Sequence, residues 1–291
     1  MLAGGKGTRL YPLTRAFSKQ LLPVYDKPMV YYPIATLMAA GIREILIIST
    51  PRDSELFKSL LGDGIQYGVK FSYTTQAKPK GLAHSFIVGA EFIKDENCAL
   101  ILGDNIFHGT GLGGQLAKHK NIEGAHIFGY HVSNPSEYGV LEFNEDGSVR
   151  ALEEKPDSPK SNFAIPGLYF FDKRVTEIAE RIRPSSRGEL EIISVLEQYL
   201  ELHQLNVSIL PRGTAWFDTG TIENLHEASN YVRILENRQG TKVACLEEIA
   251  WRNGWISDQE LLSFQKEYSD SDFKLYFEDI LANESSRFLA T

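Results

Sequence analysis

The chain has 291 residues, 43% of them hydrophobic and 23% charged, with a formal net charge of −8. That composition supports a sizeable globular core, and the acidic balance excludes the basic field that a nucleic-acid-binding surface needs. No apolar run approaches ~18 residues, so no membrane-spanning segment is expected. Residues 4–6 interrupt the apolar opening, so no signal peptide fits. The two cysteines, Cys98 and Cys245, sit among apolar residues and read as buried free thiols of a reducing, cytoplasmic compartment.

In chain order, Met1, Leu2 and Ala3 run into Gly4, Gly5 and Gly7, followed by Thr8 and Arg9. This reads as a strand end, then a loop whose bare backbone N–H groups can line an anion. Arg9 adds a guanidinium fork suited to phosphate. The loop is not a Walker A sequence, since Gly7 follows Gly5-Lys6, nor a dinucleotide fingerprint, since Leu10 replaces the third glycine. Lys19, ten residues beyond Arg9, can return to the same phosphates. A helix over about 29–40, ended by Gly41, precedes a buried strand over 44–49. A strand over 69–75, a helix over 82–93 and strands over 98–102 and 125–131 follow. That alternation predicts an α/β fold: a Rossmann-like mixed, mostly parallel sheet flanked by helices.

Beyond Tyr138 the texture changes. Segments 139–143 and 148–153 flank Asn144-Glu145-Asp146-Gly147, a hairpin signal. A long β segment spans 163–171. Helices over 173–181 and 189–202, a strand over 207–210 and a helix over about 223–236 come next. The division expected is a main α/β domain over 1–239, made of one part to about 110 and a second part from 111 to 239. A small C-terminal helical element fills 240–291.

Two aspartates stand where strands end. Asp104 follows Leu102-Gly103, and Asp218 follows Trp216-Phe217. Ligands of open α/β sheets collect at carboxyl strand ends, and Mg²⁺ favours a few carboxylates completed by phosphate and water oxygens. Glu154-Lys155-Pro156 ends another strand with a cation that can meet a second phosphate. A full G-x-G-x-x-G occurs at 109–114, but it is displaced from its strand and no acidic ribose partner follows, so a flexible loop is the better reading.

Gly4-Gly5-Lys6-Gly7-Thr8-Arg9-Leu10 with Ser18-Lys19-Gln20-Leu21-Leu22-Pro23 resembles the signature of the sugar-1-phosphate nucleotidylyltransferases, whose fold is of the nucleotide-diphospho-sugar transferase type. The likeness is sharpest to the branch using dTTP and glucose 1-phosphate. It extends through Tyr25–Met29, Leu60–Gly64, Leu102–Phe107, Leu152–Pro156, Arg187–Ile192, Asp218–Thr221 and Val243–Ala250. The resemblance implies that Leu2, Ala3, Gly4, Gly5, Gly7, Thr8 and Arg9 hold the nucleotide, with Lys19 beside them, while Gln76 and Gly81 read the base. It implies Mg²⁺ on Asp104 and Asp218. Glucose 1-phosphate would sit among Tyr138, Gly139, Glu154, Lys155 and Ile165. Arg9, Lys19, Lys155, Asp104 and Asp218 would carry catalysis.

It further implies a homotetramer, feedback by a dTDP-rhamnose-like nucleotide sugar through the tail, and a place at the start of dTDP-deoxysugar synthesis for cell-surface polysaccharide. Several positions depart from the family pattern. Lys6 replaces a serine, Lys80 an aspartate, His84 a glutamine and Pro166 a threonine, and the first strand has only Met1, Leu2 and Ala3 before the glycines. The alternatives are a relative using UTP or another sugar 1-phosphate, and a non-catalytic nucleotide-sugar sensor.

Overall fold

The computed structural model describes residues 1–5, 7–78, 80–268 and 271–282; Lys6, singled out above, lies outside them. The chain opens with β1 (Leu2–Ala3), and a hairpin of β2 (Pro23–Val24) and β3 (Lys27–Pro28) leads into α1 (Tyr31–Ala39). Next come β4 (Glu44–Ser49), α2 (Ser54–Leu61) and β5 (Lys70–Thr75). The helix expected over 82–93 is broken at Gly89 into α3 (His84–Val88) and α4 (Ala90–Ile93). A Cβ at Gly89 would lie 3.2 Å from the Leu46 side chain, so the glycine lets this helical pair press onto β4.

After β6 (Cys98–Ile101) and β7 (Asn105–His108), the glycine run 109–114 is not a free loop; it opens α5 (Leu112–Ala117). A Cβ at Gly113 would come within 2.6 Å of the Ala39 carbonyl, so this glycine serves close packing of α5 on α1. Then follow β8 (Ala125–His131) and the hairpin of β9 (Gly139–Phe143) and β10 (Val149–Glu154). The long segment expected over 163–171 is two strands, β11 (Phe163–Ala164) and β12 (Leu168–Phe171). Pro166 lies between them and has no N–H to give a ladder. The rest is α6 (Val175–Arg181), α7 (Ile192–Glu201), β13 (Leu205–Ile209), β14 (Ala215–Asp218) and α8 (Ile222–Gln239), then α9 (Leu246–Arg252), α10 (Asp258–Ser263) and α11 (Asp272–Ala282).

One sheet has the order β1-β4-β5 and is parallel throughout. A larger one runs β10-β9-β11-β8-β12-β6, with β13 alongside β8. The two are linked by a lone parallel bridge, Leu2 to Leu102. Among the described residues parallel pairing is confined to the first sheet, this bridge and the β8–β13 pair; β12 runs antiparallel to both β6 and β8. The sheet is thus mixed, because the hairpin-rich second half reverses direction at short turns instead of crossing over through helices.

The apolar core divides across the sheets. One cluster joins Ala3, Ile34, Ile47 and Phe170 with Leu246 and Phe277, so the C-terminal helices share the core of the first sheet. A second, on the opposite face, joins Leu46, Phe86, Leu100 and Leu196. Cys245 is buried as expected, whereas Cys98 is only half-buried. Met1 is buried too, and its amino group donates to the Leu46 carbonyl at 2.8 Å.

Burial pushes that amine down from 8.0 to about 5. The unfolded chain therefore binds a proton between those values that the folded chain does not. Stability should fall as pH drops from 8 to 5, by at most ~4 kcal/mol, and level off below. Thermal melts across that range test this, and amino-terminal acetylation should remove the slope.

Candidate active site

Three strand ends and their loops meet on one side of the first sheet. β1 delivers Gly4, half-buried, and the exposed Gly5 directly from the buried Leu2 and Ala3. Gly5 and Gly7 hold φ of 107° and 58°, conformations in which glycine is favoured. Thr14 Oγ1 donates to the Gly7 carbonyl at 2.7 Å and fixes the far side of the loop. Gln20 reaches back with its amide 3.4 Å from the Gly4 carbonyl. At the end of β5, Gln76 donates its backbone N–H to Ser49 and lies beside the loop: a Cβ on Gly4 would be 3.8 Å from Gln76 Oε1. Gln76, a residue expected to read the base, is thus brought to the glycine loop.

β6 ends at Ile101, and Gly103 donates its N–H to the Leu2 carbonyl at 2.8 Å, which sets Asp104 next to the glycine loop. Lys19 forms an ion pair with Asp104. Burial opposes ionisation of Asp104, but the Lys19 ammonium outweighs it and holds the carboxyl below its usual range. Asp218 arrives from the far end of the chain because β14 pairs antiparallel with β7, placing Asp218 opposite Asn105. Burial first, then the Asp104 carboxylate, pushes Asp218 up to about 6, while Lys19 and Arg9 pull it down. A Cβ on Gly220 would lie 2.9 Å from Arg9 Nη2 and 3.0 Å from Asp218 Oδ1, so Arg9, Asp218 and the start of α8 converge there.

Two neighbouring carboxylates, one strained toward protonation by the other, are a donor set suited to a divalent cation. Among the described residues no cluster of three or more His, Cys, Asp or Glu forms, so the remaining ligands would be phosphate and water oxygens, which is the way Mg²⁺ is commonly held.

The second half supplies the facing wall. Glu154 pairs across the β9–β10 ladder with Gly139, and a Cβ on Gly139 would be 3.4 Å from Glu154 Oε2 and 3.6 Å from Ile165 Cδ1. Gly139, Glu154 and Ile165 therefore share one small space. Lys155, at φ 48°, donates its N–H to the Tyr138 carbonyl, and among the described residues its exposed ammonium makes no ion pair. The Tyr138 ring packs on Trp216 at 5.0 Å between centroids, and the Asp218 charge helps burial raise its hydroxyl pKa. Trp216 and Asp218 lie two residues apart on β14 and so share a face.

Sequence reasoning missed several residues that hold these parts together. Asn105 is buried; its Oδ1 accepts from Trp216 Nε1 at 2.7 Å and from the Gly167 N–H at 2.9 Å, tying both halves to Asp104. Arg187 reaches Glu154 at 3.5 Å and Glu191 at 3.0 Å. The partners of Asn105 lie 62 and 111 residues away and Glu154 lies 33 from Arg187, so no local spacing marks those contacts. His84, by contrast, stands out in the sequence as a departure from the family pattern, and its Nδ1 lies 2.8 Å from the Gln76 amide nitrogen.

Gly81 occupies a different kind of position. At φ 95° a Cβ there would fall 2.2 Å from the Leu190 carbonyl oxygen, and the flanking backbone is stitched to Leu190 by Ala83 N–H and Lys80 C=O. The loop that carries Gln76 is thus clamped against the second half. Gly81→Ala should weaken nucleotide binding about tenfold and lower the melting temperature by roughly 5–10 °C, since a left-handed alanine and the displaced backbone each cost on the order of 1–3 kcal/mol. Calorimetry and nucleotide titration check both effects.

A glycine loop, a lysine–carboxylate pair and a second carboxylate at strand ends define a site for transferring a nucleotidyl group. Residues 1–233 match the nucleotidyl transferase family, and the chain belongs to that family. Within it, the chain is 54% identical over 284 residues to glucose-1-phosphate thymidylyltransferase of Mycolicibacterium smegmatis, covering 98% of this chain and 99% of that one. It is 52% identical over 277 residues to the glucose-1-phosphate thymidylyltransferase of Neisseria meningitidis, covering 95% and 96%. Among solved structures, UDP-glucose pyrophosphorylase with bound UDP-glucose superposes with a TM-score of 0.70 at 26% identity, over 80% of this chain and 97% of that one.

Proposed function

We propose that this chain transfers a thymidylyl group from dTTP to glucose 1-phosphate, giving dTDP-glucose and pyrophosphate. The observation that carries the reading is the convergence of Arg9, Lys19, Asp104 and Asp218 on the glycine loop, across from Glu154 and Lys155. The backbone N–H groups of Gly4, Gly5 and Gly7 and the Arg9 guanidinium bind the triphosphate. Gln76 and the Gly81 loop receive the base. Glu154 accepts from sugar hydroxyls beside Gly139, Ile165 and Tyr138, and Lys155 holds the sugar phosphate. That phosphate is already anionic near neutral pH, so the attack on the α-phosphorus needs no general base. The barrier is bringing two anions together, which positioning and fixed cations reduce. Asp104 and Asp218 would hold Mg²⁺, which when bound neutralises charge on the phosphates and the departing pyrophosphate.

The remaining parts of the reading are a catalytic unit over 1–239 with a C-terminal element over 240–291, assembly as a homotetramer in the cytoplasm, and feedback by a dTDP-deoxysugar such as dTDP-rhamnose. The shared core of the tail with α1 supports a structural as well as a regulatory part for 240–282. The test is to incubate the protein with Mg²⁺, glucose 1-phosphate and each of dTTP, UTP, CTP, ATP and GTP, and to measure pyrophosphate. Fastest release is expected with dTTP. No release with any nucleotide would leave only the sensor. Preference for UTP would overturn thymidylyl specificity, an outcome to which His84 and Lys80 beside Gln76 are relevant.

A further inference from the structure

Gln76 and His84 stand at the two ends of one loop, and both are held by their backbones. Gln76 follows β5, is buried, and donates its N–H to the Ser49 carbonyl at 2.8 Å. His84 opens α3; the residue before it, Ala83, is fully buried with its N–H on the Leu190 carbonyl at 3.0 Å. Between the two side chains, Gln76 Nε2 lies 2.8 Å from His84 Nδ1. A carboxamide nitrogen carries only N–H groups, so it donates and Nδ1 accepts, which leaves the ring proton on the imidazole Nε2. Burial first, then the Lys80 ammonium, holds the imidazole below its ordinary range, so the Nδ1 lone pair is available at neutral pH.

The other end of the carboxamide faces the glycine loop. A Cβ on Gly4 would lie 3.8 Å from Gln76 Oε1, and among the described residues that oxygen accepts no hydrogen bond. We propose that His84 is a positioning residue that holds the Gln76 carboxamide with its oxygen toward the nucleotide, so that the site takes pyrimidines bearing a ring N3–H, thymine and uracil, and rejects cytosine. The proposal rests on the reading of Gln76 as the residue that meets the base.

The chemistry follows from the base edges. Thymine and uracil carry a hydrogen on N3 between two carbonyl oxygens, whereas cytosine has a bare N3 beside an amino group. A carboxamide oxygen set against N3 accepts from the first two; against cytosine it meets a lone pair and stays unsatisfied. Turned end for end, the same carboxamide would offer N–H groups and suit the cytosine N3. Its two ends are nearly alike in shape, so only a hydrogen-bond partner can choose between them. His84 makes that choice by accepting. The two departures from the family pattern in this loop thus act together, because the Lys80 charge keeps His84 in its accepting form. The 5-methyl group of thymine plays no part in this choice.

The test compares His84→Glu, which only accepts when ionised, with His84→Lys, which only donates, and His84→Leu, which does neither. For the unaltered chain and each variant, kcat/KM is measured with dTTP and with dCTP at neutral pH, with glucose 1-phosphate and Mg²⁺. The ratio of the two values cancels any loss of folded protein. It should favour dTTP in the unaltered chain, stay within about twofold in His84→Glu, fall by about tenfold or more in His84→Lys, and fall less in His84→Leu. KM for glucose 1-phosphate should not move. An unchanged ratio in His84→Lys, equal falls in His84→Glu and His84→Lys, or a preference of the unaltered chain for dCTP would overturn the proposal. The ratio of Kd values for the same two nucleotides is read by calorimetry in parallel. If the unaltered chain binds dTTP but releases no pyrophosphate, the transfer reading fails, and the Kd ratios still decide the role of His84. Binding of neither nucleotide would overturn both.

Discussion

Asp218→Asn should cut turnover by ~10²–10³, the scale of one preorganised contact to transition-state charge, while making the metal-free protein more stable. The opposed effects have one cause. Burial and the Asp104 carboxylate raise Asp218 to about 6 from 3.8. Below 3.8 the folded and unfolded states are both protonated there. As pH rises from 3.8 to about 6 the unfolded state ionises first, so stability is lost over that range and levels off above it. At pH 7 the aspartate therefore costs the fold on the order of 1–3 kcal/mol, which a neutral asparagine of the same shape avoids. Melts at pH 7 in EDTA should show the variant higher by roughly 2–8 °C. In Mg²⁺ the gap should narrow or reverse, because a cation between the carboxylates removes the repulsion. Near-normal turnover in the variant would remove Asp218 from the metal role, and an unchanged melt would show that its carboxylate is not strained.

Lys155→Met should lose a similar ~10²–10³ in turnover but leave stability within about 0.5 kcal/mol. Among the described residues the ammonium is exposed and forms no ion pair, so the fold does not depend on it. Its backbone does matter. The left-handed φ of 48° and the N–H to the Tyr138 carbonyl turn the chain at the end of β10 so that the side chain leaves beside Glu154. Because the lysine offsets repulsion between two anionic substrates, its loss should fall on kcat/KM for glucose 1-phosphate more than on dTTP binding. Steady-state kinetics with each substrate varied, together with a thermal melt, separates this from a folding defect.

The alternation of apolar runs and amphipathic segments marked β4, β5, β6 and β8, and the Asp-Gly turn marked the β9–β10 hairpin. Those signals are local: a strand's period and a turn's backbone need are written within a few residues. Interruptions inside expected elements were less legible. The break falls at Gly89, where an added Cβ would lie 3.2 Å from the Leu46 side chain, a neighbour that 82–93 alone does not show. Pro166 was visible, but its splitting of 163–171 depended on that segment having neighbours on both sides.

For the site, the glycines, Arg9, Lys19, Asp104, Asp218 and Lys155 are all types that phosphate and metal chemistry requires, so the sequence by itself determined the candidates. Their meeting was decided only by tertiary structure. Asp218 reaches Asp104 because β14 pairs with β7 across more than a hundred residues, and Asn105 locks that pairing through Trp216 and Gly167. The strain on Asp218 arises from that proximity and from burial, neither of which a residue type encodes.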